Sequence, residues 1–65
     1  MIRECIYKVM KHGRDSGLRV GFRYDRPMGF GRRNEKPEKL KELRQGYPME
    51  KGYYLIEVSD TKVKM

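Results

Sequence analysis

The sequence predicts a small α+β domain, ordered β-β-α-β, with a three-stranded antiparallel-type sheet and one helix on one face. Three segments carry that prediction. Residues 18–24, LRVGFRY, alternate Leu18, Val20, Phe22 and Tyr24 with Arg19, Gly21 and Arg23, which is the period-two pattern of a strand with an apolar and a basic face. Residues 35–45, EKPEKLKELRQ, lie between a helix start signal and a helix stop signal. Residues 53–58, YYLIEV, are rich in aromatic and β-branched side chains.

Residues 2–11 fit two patterns. Ile2, Cys5, Ile6, Val9 and Met10 fall at helical spacing, and Glu4 with Lys8 is a favourable i,i+4 pair. Read as a strand, the segment turns Cys5, Tyr7 and Val9 one way and Ile2, Ile6 and Met10 the other. No capping residue precedes Ile2, and the LRVGFRY strand needs a neighbour, so the strand is preferred. The helical alternative gives the order α-β-α-β. Residues 12–17, HGRDSG, read as a six-residue turn, with Asp15 and Ser16 as locally hydrogen-bonding turn residues. Gly21 weakens its strand, or serves a bulge or the close approach of another backbone.

Pro27 ends the second strand, and residues 25–34 read as a flexible loop rich in glycine and arginine. Asn34 is placed to cap the helix, Pro37 is tolerated in its first turn, and Leu40, Leu43 and Tyr47 form a narrow apolar stripe. Gly46 and Pro48 stop it. The YYLIEV strand is apolar on nearly both faces, which predicts a central position in the sheet. Residues 59–65 either extend it through Val63 or fray.

A chain of 65 residues makes one domain, and one this short buries only about 60% of its unfolded surface. Residues 1–65 are therefore read as a single small basic domain that gains from a partner or a second copy. Cys5 is the lone cysteine and His12 the lone histidine, which leaves no internal disulfide and no four-ligand zinc site; no cofactor is expected. Cys5 reads as a small buried hydrophobe. The lone cysteine and the lack of a long apolar stretch or signal peptide point to a cytoplasmic, intracellular protein with no membrane partner.

Charge is the strongest functional signal. Residues 1–33 hold nine basic side chains against three acidic ones, and residues 34–65 hold seven against six. Almost the whole net charge of +7 belongs to the first half, and such a field attracts an anionic partner. The candidate binding set is Arg14, Arg19, Arg23, Arg26, Phe30, Arg32 and Arg33. Arg19 and Arg23 point away from the expected core and lie about 13 Å apart along an ideal strand, a span suited to successive phosphates. Guanidinium groups bind phosphate through two parallel bonds, and Phe30 or Tyr24 offers a stacking face to unpaired bases.

Gly29-Phe30-Gly31-Arg32-Arg33-Asn34 begins like a dinucleotide fingerprint, but it ends in asparagine in a chain too short for that fold. No catalytic residue stands out, because Glu35, Glu38 and Glu42 sit beside lysines on a solvated helix face; no enzyme is expected. The first functional reading is a nucleic-acid-binding module, for DNA or RNA, that contacts phosphates through an arginine-rich strand and loop. The alternative is a small protein-binding inhibitor or adaptor, of the viral or mobile-element type, that docks on an acidic protein surface. Self-association as a homo-oligomer, or membership of a larger assembly, is the third.

Overall fold

The computed structural model describes residues 1–27 and 34–63, so the centre of the glycine- and arginine-rich loop, with Phe30, Arg32 and Arg33, lies outside the described residues. The chain runs β1 (Ile2–Lys11), β2 (Arg14–Asp25), α1 (Lys36–Gly46), a single 3-10 turn (Met49–Lys51) and β3 (Tyr53–Lys62). The strands form one antiparallel sheet in the order β2-β1-β3, with the helix on one face. The expected α+β architecture and β-β-α-β order are present, and residues 2–11 are a strand.

β1, not β3, is the central strand, which corrects the placement expected for YYLIEV. The hairpin sets β2 on one side of β1, and β3 returns along the other side. Alternation along β1 turns Cys5, Tyr7 and Val9 under the helix, where all three are buried. The apolar character of β3 on both faces has a different cause. Leu55 pairs with Val9 and packs toward the core, while Tyr54 and Ile56 pair with Met10 and Lys8 on the uncovered face and stay exposed.

The β1–β2 turn is tighter than the six residues expected. His12 and Gly13 alone form it, at φ values of 50° and 78°. Two consecutive positive φ angles give the turn a twist that matches the hairpin strands. Histidine is among the non-glycine residues that accept this region. Asp15 and Ser16 do use local hydrogen bonds, but inside a bulge of β2 rather than in the turn. The Gly17 N–H donates to Asp15 Oδ1 at 2.9 Å and Ser16 Oγ donates to the Val9 carbonyl at 2.8 Å. Across this bulge the register moves from Lys8 opposite Arg19 to Met10 opposite Asp15.

Gly21 has a steric reason. A Cβ at this position would run into the carbonyl oxygen of Cys5, which is backbone of the central strand and has little room to retreat. Gly21→Ala is therefore expected to cost about 1–3 kcal/mol by overpacking. In a domain of this size that lowers Tm by about 5–20 °C in a thermal melt. An unchanged Tm would refute the close approach.

Helix α1 starts after Asn34, whose Oδ1 accepts the Lys36 N–H at 3.0 Å, one residue earlier than a standard cap. Glu35 occupies the cap position and reaches back, its Oε2 accepting the Asp25 N–H at 3.2 Å. No residue of the helix is fully buried; Leu40 and Leu43 supply its contact with the sheet. So short and thin a stripe depends on packing for its stability. The core beneath consists of Cys5, Tyr7, Val9 and Tyr24, ringed by Val20, Phe22, Leu40, Leu43 and Leu55. Tyr7 stacks on Phe22 at 6.1 Å between ring centres, and Tyr24 meets Phe22 edge-on at 6.0 Å.

Candidate partner-binding surface

The strand arginines lie on both faces of the sheet. Arg19 and Arg23 stand on the face away from the helix, opposite Lys8 and Glu4. Arg14 pairs with Lys11, which shares the helix-side face of Val9, and alternation from Tyr24 places Arg26 on that side too. The expected cationic stripe is thus divided between two faces at the four described positions. Two of its members are also paired: Arg19 reaches Asp15 at 3.2 Å and Arg23 Nε reaches Glu4 at 3.0 Å. Asp15 takes Lys8 as well, at 3.0 Å. The Gly17 N–H, then Arg19 and Lys8, hold the Asp15 carboxyl well below the usual carboxylate range. Exposed pairs of this kind exchange readily with water.

Between Arg19 and Arg23 the side-chain row is interrupted at Gly21, leaving a shallow groove of about 370 Å³ lined by Glu4, Ile6, Val20 and Phe22 together with the two arginines. Phe30, one ring expected to offer a stacking face, lies outside the described residues. Tyr24, one of the two stacking candidates, is 2% exposed under the helix. On β1 and β2 every aromatic side chain (Tyr7, Phe22, Tyr24) belongs to the core cluster or packs on it.

Tyr24 instead joins a polar cluster that residue-by-residue reading of the sequence missed. Asp60 is 18% exposed and accepts from Tyr24 Oη at 2.7 Å, Lys36 Nζ at 2.8 Å and Arg3 Nε at 2.9 Å. Lys36 also donates to Glu57 at 2.6 Å, and Tyr7 Oη donates to the same carboxylate oxygen at 3.3 Å. Burial alone pushes the Asp60 carboxyl up, but hydrogen bonds from Lys36, Tyr24 and Arg3 outweigh it and hold the group well below its ordinary value. Lys36 is pushed up by its bonds to Asp60 and then to Glu57. This cluster ties the first turn of α1 to the far edge of the sheet.

Its members come together through a one-residue bulge at Val58. The register passes from Ile6 opposite Ser59 to Tyr7 opposite Glu57, so Glu57 and Asp60, three apart, share the helix-side face. Strict alternation would have separated them. Cys5 lies beside the cluster, fully buried, with its thiol pushed up by desolvation. It behaves as the small hydrophobe expected.

The exposed apolar surface is concentrated elsewhere. Six large hydrophobic side chains are exposed among the described residues, and four of them follow one another along the approach to β3 and β3 itself: Met49 (80%), Tyr54 (39%), Ile56 (44%) and Val58 (57%). Beside them a cleft of about 200 Å³ opens between Arg44, Tyr47, Met49, Tyr53, Tyr54 and Leu55. Tyr47 and Tyr53 meet edge-on at 5.5 Å in its wall, and Lys11 Nζ sits 5.0 Å from the Tyr53 ring centre. The His12 N–H donates to the Gly52 carbonyl at 2.9 Å and anchors the start of β3.

Among the described residues no group of three or more His, Cys, Asp or Glu side chains is arranged to hold a metal ion, and no helix is long and apolar enough to cross a membrane. Comparison of the chain with protein-family models, curated proteins and solved structures found no match.

Proposed function

We propose that this protein is a small protein-binding module, an inhibitor or adaptor, that docks on an acidic surface of a partner protein. One observation carries the reading: a row of exposed apolar side chains, Tyr54, Ile56 and Val58 with Met49 beside them, on a chain of net charge +7. Apolar patches of this kind rimmed by polar groups mark protein contacts. The overall charge favours an acidic partner and opposes close association of two copies.

Nucleic-acid binding is the second reading, supported by the same net charge and by Arg14 and Arg26, which are exposed and form no ion pair among the described residues. Three observations weigh against it as the first. Arg19 and Arg23 are engaged by carboxylates, the four described arginines of the set divide between two faces, and Tyr24 is not available for stacking.

The two readings separate experimentally. Immobilised protein is compared with two variants, one carrying Ile56→Thr and Val58→Thr, the other with Arg19, Arg23, Arg32 and Arg33 changed together to alanine. The expected result is capture of a protein that survives nuclease treatment, is lost in the threonine variant and persists in the alanine variant. Capture abolished by nuclease overturns the first reading. So does binding to DNA or RNA whose log K falls against log salt with a slope of about −4, the value for roughly five neutralised phosphates.

A further inference from the structure

We propose that the partner presents an extended segment of alternating acidic and apolar residues, which adds as a fourth strand along the outer edge of β3; this rests on the protein-binding reading above. β3 has a single neighbour, β1, so one side of its backbone has no strand partner among the described residues. Unpaired N–H and C=O groups in such a row form a template for another strand.

The sheet has a second free edge, β2, but that strand is guarded. It carries Arg14, Asp15, Arg19, Arg23 and Asp25, and it is distorted by the bulge after Asp15. Charges and bulges are what keep an edge from pairing. Over residues 53–58 β3 holds one charged side chain, Glu57, and that group is bonded to Lys36 and Tyr7 on the helix side. The regular stretch runs from Tyr53 to Glu57 and stops at the Val58 bulge. Five residues give a docking length of about 17 Å, enough for a short linear motif.

The side-chain chemistry of the occupant follows from what borders this stretch. At its start, on the helix side, lies the cleft walled by Tyr47, Met49 and Tyr53. Arg44 stands at that cleft and Lys51 on the turn before β3, and neither forms an ion pair among the described residues. Alternating carboxylates on the incoming strand would meet these cations, while its apolar residues cover Ile56 and Val58. A second copy brings like charges together, with +7 on each chain. A nucleic acid has no peptide ladder to pair with the edge.

The test uses the full chain, isotopically labelled, and the heptapeptide acetyl-Asp-Phe-Asp-Val-Asp-Val-Asp-amide as probe. Amide shifts confined to residues 44–58, with new hydrogen-exchange protection of β3 amides, are expected. The same peptide with its central valine replaced by proline should bind about tenfold more weakly, equivalent to about 1.4 kcal/mol of lost pairing. The proposal is overturned if the proline peptide binds as well as the parent, if hexa-aspartate matches it, or if the shifts fall on the Arg19–Arg23 groove. If these results come while nuclease-resistant capture still depends on Ile56 and Val58, strand addition fails and the protein-binding reading stands. If oligothymidylate moves the β3 amides in place of the peptide, both fail together. The peptide comparisons use the wild-type chain alone, so none of them depends on a variant that misfolds.

Discussion

Asp60→Ala is expected to lower the melting temperature by about 10–20 °C. The change leaves Arg3, Tyr24 and Lys36 without their common acceptor. Removing one partner from a buried ionic cluster costs about 3–5 kcal/mol. Asp60 retains 18% exposure, so water replaces part of the loss and the cost falls to about 2–3 kcal/mol. At about 4–8 °C per kcal/mol for a domain this small, that is a large shift in a circular-dichroism melt. Asp60→Asn keeps an acceptor oxygen for Tyr24 and should cost less. A change under about 3 °C for the alanine variant would show that the cluster does not hold the helix to the sheet.

The same cluster sets the pH range of stability. Asp60 in the folded chain lies below its ordinary value of 3.8, so its contribution is complete above that value and fades as pH falls through the folded one. Asp15 behaves alike. Lys36 lies above its ordinary 10.5, and burial pushes the Tyr7 phenol up to about 12. Their contributions are complete below the unfolded values and are lost as pH rises through the folded ones. Stability should therefore be level between about pH 4 and pH 10 and decline on both sides. Asp60→Ala should flatten the acid limb, a result that melts across the acid range would show directly.

Tyr7→Ala carries a still larger cost. Tyr7 is buried on the central strand, and its ring stacks on Phe22. Cutting a core aromatic back to alanine removes about 3–5 kcal/mol. At about 0.05–0.15 kcal/mol per residue, that approaches the whole stability of such a chain. The variant should be largely unfolded at body temperature, with weak strand signal by circular dichroism and fast amide exchange. Tyr7→Phe, by contrast, gives up only the 3.3 Å hydrogen bond to Glu57 and should cost no more than about 1 kcal/mol. Equal losses from the two variants would mean that the hydroxyl, not the ring, secures the core.

These contacts differ in how far the sequence announces them. The alternation of Leu18 to Tyr24 is a local pattern, and the strand follows from it. Ile2, Cys5, Ile6 and Val9 satisfy helical and strand spacing at once, and only the need to pair β2 separates the two. The edge position of β3 is not local at all. An apolar run on both faces describes a buried central strand, but it equally describes an outer strand whose second face awaits a partner. The binding set was legible as a composition, not as a surface. Whether Arg23 meets Glu4, or Arg19 meets Asp15, depends on the register fixed by the His12-Gly13 turn and by the bulge after Asp15. Nothing in the spacing of Lys36 and Asp60 along the chain shows that they face each other.

The extra residue at Val58 also bears on how relatives of this chain would be recognised. A gapless alignment of 53–62 with an ordinary strand assigns Glu57 and Asp60 to opposite sides, whereas here both turn toward the helix. A homologue that lacks the extra residue would need an insertion placed at that point, or its acidic pair would be read as unrelated. The informative signature is therefore an acidic residue, two spacers and a second acidic residue in the last strand, matched by a lysine at the opening of the helix.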